Sequence, residues 1–120
     1  MADTTVRVKL DERVGGAVVA TVTIDNAKKL NCLSTVTNVA IKAALDRLST
    51  DPRLRAVVLT GAGDRAFIGG ADLNELGACC TNSSRLYITK LHEACKSLRD
   101  CPVPVIARIN GFCLGAGFEI

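Results

Sequence analysis

Residues 55–76 read RAVVLTGAGDRAFIGGADLNEL (Arg55–Leu76), and the order of apolar run, glycines and acid in this stretch decides the fold class. Ala56–Thr60 (AVVLT) is a short, apolar run with paired valines, the pattern of a strand buried on both faces. It opens directly into a glycine-rich loop, Gly61–Gly70, whose residue type permits positive φ and close approach of a ligand to the main chain. Ala71–Leu76 begins a short helix, with Asp72 suited to capping it. A strand that passes through a glycine loop into a helix is a step of an α/β fold.

The same step recurs downstream in CPVPVIARINGFCLGAGFEI (Cys101–Ile120). Pro102 and Pro104 break the preceding helix, Val105–Ile109 forms a strand, Asn110–Gly117 is a second glycine loop, and Phe118–Ile120 starts a helix. Between the two segments, Asn82, Ser83 or Ser84 caps a helix with Tyr87, Leu91, Ala94, Cys95 and Leu98 on its apolar face. Upstream, Thr5–Leu10 alternates as a strand, Gly15-Gly16 makes a hairpin-type turn, and Ala17–Ile24 is the second strand. After a polar loop over Asp25–Leu33, Ser34 caps a helix reaching Leu48, with Ile41, Leu45 and Leu48 at helical spacing and Val36, Ala40 and Ala44 beside them. Asp51-Pro52 ends it. No linker interrupts this alternation, so residues 1–120 read as one α/β unit. One helical turn does not repay nucleation, and the reading therefore expects the front portion of a larger domain.

Composition removes several function classes. The 120 residues are 48% hydrophobic and 22% charged, which excludes a disordered chain. Fifteen basic and twelve acidic residues give +3, the only adjacent basic pair is Lys28-Lys29, and there is one Tyr, three Phe and no Trp. Neither the basic stripe nor the stacking aromatics of a nucleic-acid binder is present, so no nucleic-acid partner is expected. No apolar run approaches the roughly 18 residues that span a bilayer, and the polar start MADTTVRVKLDER is no signal peptide. A cytoplasmic protein with no membrane partner is the expectation. Six cysteines, Cys32, Cys79, Cys80, Cys95, Cys101 and Cys113, include no Cys-x-x-Cys pair, and with His92 as the only histidine no metal site is expected. They read as small fillers and loop thiols in a reducing compartment.

Two glycine loops, each leading into a helix, can aim two backbone N–H groups at one developing negative oxygen, helped by the positive ends of the helix dipoles. Taken singly, either loop is equally well explained as a tight turn. A dinucleotide fingerprint is imperfect in both, since TGAGDRAF offers Gly61 and Gly63 but Ala66 in the third place, and neither loop is followed by the Lys-Ser/Thr of a phosphate-binding P-loop.

Together, Arg55–Leu76 and Cys101–Ile120 resemble the two signature segments of the crotonase superfamily, the enoyl-CoA hydratases and isomerases. VATVTIDNAKKLNCLS (Val19–Ser34) resembles that family's opening strand and coenzyme A loop. The resemblance runs in order over residues 6–120. It implies a crotonase-like right-handed spiral of β-β-α units, of which this chain is the front half, with Ala17–Ile24, Ala56–Thr60 and Val105–Ile109 stacked as neighbouring turns. It implies that the Ala71 and Ala116 N–H groups form an oxyanion hole for an acyl-CoA thioester, and that Glu119 is one of two catalytic glutamates acting on water. Lys28, Lys29 and Leu30, with Gly69, Gly70, Ala71, Asp72 and Leu73, match the coenzyme A-binding positions. The implied activity is reversible hydration of a 2-enoyl-CoA, with no cofactor beyond the coenzyme A of the substrate, by a homotrimer or hexamer. Other reactions of the superfamily, and a non-catalytic acyl-CoA-binding or assembly role, stay open alongside it. The chain departs from the family with Ala27 where proline is frequent and Ala116 where glycine is frequent, and the second glutamate belongs to a later segment. His92 reads as a surface or packing residue away from both loops. Cys32 and Cys113 have no histidine near in sequence to activate a thiolate.

Overall fold

The computed structural model describes residues 3–78 and 80–120; Met1, Ala2 and Cys79, one of the loop thiols above, lie outside them. The strands are β1 (Thr5–Glu12), β2 (Val18–Asp25), β3 (Leu54–Gly61), β4 (Ala66–Ile68), β5 (Val105–Arg108) and β6 (Phe112–Cys113). The helices are α1 (Thr35–Leu48), α2 (Leu73–Gly77), α3 (Thr81–Arg99) and α4 (Ala116–Glu119). Among the described residues, no helix is long and apolar enough to cross a membrane.

Four strands form one sheet in the order β1-β2-β3-β5. The β1–β2 pair is antiparallel, joined through a 3-10 turn in which Gly15 and Gly16 both hold φ +79°. β2–β3 and β3–β5 are parallel, with Val22 opposite Leu59 and Leu59 opposite Ala107. The three strands expected to stack as neighbouring turns do so. In β2 the side chains alternate between fully buried (Val18, Ala20, Val22, Ile24) and half-buried, as the two-residue period requires. Each fully buried valine or isoleucine contributes about 1.5–3 kcal/mol of transfer free energy. β3 departs from the expected two-sided burial: Val57 and Leu59 are buried, whereas Ala56 and Val58 are only half-buried.

Ser34 caps α1 as expected, its Oγ accepting the Thr37 N–H at 3.2 Å, and Ile41, Ala44, Leu45 and Leu48 face the core. Val36 does not; it is 62% exposed. α1 packs against α3, whose buried stripe is Tyr87, Leu91, Ala94 and Leu98. The cap of α3 is neither Asn82 nor Ser84 but Cys80, with Ser83 at the third helical position: the Cys80 N–H donates to Ser83 Oγ at 2.8 Å and Ser83 Oγ reaches back to Cys80 Sγ at 3.4 Å. This bonding draws the exposed Cys80 thiol down to about 7. Among the described residues, one buried side-chain amide in the core is left unmatched. Asn38 is fully buried beside Tyr87, yet neither its Oδ1 nor its Nδ2 reaches hydrogen-bond geometry.

Both glycine loops hold a short strand that sequence reading passes over as loop. β4 and β6 pair in parallel, Ala66 with Phe112 and Ile68 with Cys113, as a separate two-stranded sheet. Two or three residues carry no readable period, but this pair sets the geometry of the site.

Candidate functional site

The β4–β6 pair brings the ends of the two glycine loops together. Leu114 N–H donates to Ile68 O at 3.2 Å, continuing the ladder one step beyond the strands. Gly70 (φ +138°) and Gly115 (φ +51°) then turn away side by side, so close that a Cβ built on Gly115 lies 3.8 Å from Gly70 Cα. Those φ values are strained for any residue with a Cβ. Gly117, the second residue of α4, is excluded from substitution by space: its Cβ would fall 2.1 Å from Ile68 O. Ala71 follows Gly70 directly and Ala116 follows Gly115, so the two residues singled out from the sequence leave adjacent loops on one edge of the small sheet.

Neither the Ala71 N–H nor the Ala116 N–H donates to another group among the described residues. For Ala71 the cause is a parallel bridge to Leu33. Leu33 N–H donates to Gly70 O at 2.9 Å and Asp72 N–H donates to Leu33 O at 2.8 Å, so the bridge uses the groups on either side and leaves the alanine's own N–H over. Leu33 is held in turn by the buried Tyr87, whose Oη donates to Leu33 O at 2.9 Å. Burial, with the Glu75 carboxylate nearby, pushes this phenol up to about 12, so it remains a protonated donor. For Ala116 the cause is its place as the first residue of α4, where a helical N–H has no partner four residues back.

Asp72 caps α2, its Oδ1 accepting from Asn74 N–H at 3.0 Å and Glu75 N–H at 3.4 Å. Glu75 then reaches the start of α1, accepting the Thr35 N–H at 2.9 Å and the Thr35 hydroxyl. The 73–77 helix is thus tied to α1, and the loop before it is clamped at both ends. A cleft of about 240 Å³ lies against this loop, lined by Lys29, Leu30, Cys32, Gly69, Ala71, Asp72, Leu73 and Asn74. Six of the residues expected to meet coenzyme A therefore share one surface. Lys28 is exposed beside it and Gly70 is buried behind it. Leu30 holds φ +54° and accepts the Gly69 N–H at 2.8 Å, which fixes the lysine-bearing turn against the glycine loop. Burial, then the Asp72 charge, pushes the Cys32 thiol up, so it is no thiolate nucleophile.

Glu119 stands exposed on the first turn of α4 and lines a different cleft, about 350 Å³, with Ile88, Leu91, His92, Cys95 and Arg99 of α3. No residue of either glycine loop lines this cleft with His92, which lies on the face of α3 that meets Glu119 because His92, Cys95 and Arg99 repeat at helical spacing. Cys95 Sγ approaches Glu119 O at 3.9 Å, and burial pushes its thiol up, with Arg99 opposing and Glu119 adding to the rise.

Comparison with known proteins identifies the family. The family model described as enoyl-CoA hydratase/isomerase matches residues 15–120. A short-chain-enoyl-CoA hydratase of Clostridium acetobutylicum is 37% identical over 102 residues, which is 85% of this chain and 39% of that protein. A probable enoyl-CoA hydratase of Mycobacterium tuberculosis is 34% identical over 102 residues, 85% of this chain and 40% of its own length. The crystal structure of an enoyl-CoA hydratase from Bacillus anthracis superposes with a TM-score of 0.84 at 29% identity, covering 93% of this chain and 43% of that one. The chain thus spans about two fifths of the length of the curated relatives it matches.

Proposed function

The chain belongs to the enoyl-CoA hydratase/isomerase family, and from that premise we propose that it carries the oxyanion-binding part of an enzyme that reversibly hydrates a 2-enoyl-CoA. The observation that carries the reading is the pair of unused backbone N–H groups, Ala71 and Ala116, on abutting loops. Hydration places the water oxygen on C3 and a proton on C2, and on the way the thioester carbonyl oxygen gains enolate charge. Two N–H donors already in place, one of them at a helix start, stabilise that charge without reorganisation at the moment of reaction. Glu119 acts on the water as general acid and base, and the Lys29–Leu30 turn with Gly69–Leu73 and the exposed Lys28 receives coenzyme A. No cofactor is required beyond the coenzyme A of the substrate. The exposed apolar side chains of Ile106, Ile109, Phe112 and Phe118 supply a face for association, which supports a homotrimer or hexamer.

The test is a spectrophotometric hydration assay with crotonyl-CoA, together with sedimentation. The protein as its gene encodes it should turn over the substrate and sediment as an oligomer. Residues 1–120 alone should not turn it over, because the resemblance places the second catalytic glutamate outside them. A misplacement of about 1 Å in a donor pair already costs roughly two decades in rate. Robust turnover by residues 1–120, or none by the encoded protein, contradicts the proposal.

A further inference from the structure

The loop between β3 and β4 turns several carbonyls inward, and two asparagines meet them. Asn31 is fully buried at φ +53°; its Nδ2 donates to Ala62 O at 3.0 Å and to Ala66 O at 2.9 Å, while its Oδ1 accepts the Asn26 N–H at 2.8 Å. Asn110 approaches from the other side. Its Nδ2 lies 2.9 Å from Gly61 O, 2.8 Å from Gly63 O and 3.2 Å from Ala66 O, three carbonyls that share the two amide hydrogens, and its Oδ1 accepts from Gly61 N–H at 3.2 Å and faces the Thr60 hydroxyl at 3.3 Å. The two amides converge on the Ala66 carbonyl, at the first residue of β4.

The position of Asn110 gives this contact its consequence. Asn110 stands two residues before β6, so the residue that leads into the Ala116 loop grips the residues that lead into the Ala71 loop. Immediately after it, Gly111 packs so tightly that a Cβ there would lie 2.2 Å from Arg65 O, and Phe112 N–H donates to Arg65 O at 3.0 Å. The offset of β6 along β4 is fixed at this end by the amide and at the other by Gly117 against Ile68.

We propose that Asn110 is a positioning residue for the reaction: it sets the spacing of the Ala71 and Ala116 N–H groups by locking β6 to the β3–β4 loop. The inference rests on the reading of those two groups as the oxyanion donors. An amide suits the task because it donates to carbonyls while accepting from an N–H and a hydroxyl. A carboxylate of the same shape loses every donor bond and sets its charge against three carbonyl oxygens.

The test uses the encoded protein with Asn110→Asp and Asn110→Ser, the serine variant being read the same way should the aspartate variant fail to fold. Two readouts are taken on folded protein: steady-state hydration, and the infrared stretch of an isotope-labelled thioester carbonyl in a bound, saturated acyl-CoA. Hydrogen bonding lowers that frequency. The expected result is a kcat at least about tenfold lower, with KM within about threefold of wild type, and a smaller red shift of the bound carbonyl. A merely structural asparagine would lower thermal stability and leave kcat and the red shift of the surviving folded protein unchanged, and that result overturns the proposal. If the wild-type carbonyl shows no red shift at all, the oxyanion reading itself fails, and the positioning role falls with it.

Discussion

Glu119→Gln in the encoded protein should lower enoyl-CoA hydration by about 10²–10⁴-fold, the usual contribution of a general acid or base, while acyl-CoA binding stays within about twofold. Glutamine keeps the shape of the side chain and removes its ability to take up and release a proton. Glu119 is exposed on the first turn of α4, so the change costs the fold little. Affinity is expected to hold because the surface proposed to receive coenzyme A, from Lys29 to Leu73, belongs to a different cleft from the one Glu119 lines. An unimpaired Glu119→Gln enzyme would remove this residue from the chemistry. A fall in affinity matching the fall in rate would make it a binding group instead.

A second large effect is expected from a single methyl group. In Gly117→Ala the new Cβ meets Ile68 O at 2.1 Å and Ile68 Cβ at 2.8 Å. The first of these is backbone of β4 and cannot swing aside, so α4 and β4 must part. With them part the loops that carry Ala116 and Ala71. A displacement of the order of 1 Å between catalytic groups costs about 10²-fold in rate, and hydration should fall by at least that much. Gly77→Ala is the matched control: at the end of α2, a Cβ there meets nothing within 4 Å, and activity should be unchanged. Kinetics and thermal unfolding of both variants decide the matter. A Gly117→Ala enzyme with wild-type kinetics would show that the contact of α4 with β4 does not govern the site.

The parts of the molecule that could be read from the sequence are those in which local pattern and burial agree. β2, β3 and β5 carry runs of β-branched residues between clear breakers, and they pair in parallel in the order expected. Ser34 and Asp72 cap helices because their short side chains bring an oxygen to the unpaired N–H groups of the first turn. Ala71 and Ala116 come from the resemblance to the crotonase superfamily, and the structure adds that the glycine before each holds a positive φ that no alanine would accept at low cost. What stayed hidden was non-local. β4 and β6 are too short for a period, and only pairing with each other makes them strands. Cys80 is an unusual cap, and Ser83, a residue within the expected capping run, completes it from inside the helix. Asn31 and Asn110 look like ordinary turn residues in one dimension, since nothing near them in sequence shows that their amides meet over the Ala66 carbonyl. His92 reads as a surface or packing residue, and nothing near it in sequence shows that its helix face shares a cleft with Glu119.

If two backbone N–H groups from abutting loops hold the thioester oxygen, the vibration of that oxygen's own bond must report them. An acyl-CoA with an isotope-labelled thioester carbonyl, bound to the encoded protein, should show its C=O stretch moved to lower frequency than in water. The shift should shrink in Gly117→Ala and persist in Glu119→Gln, which leaves both donors in place. A bound carbonyl that vibrates at its aqueous frequency, in a complex shown to be saturated, would contradict the account.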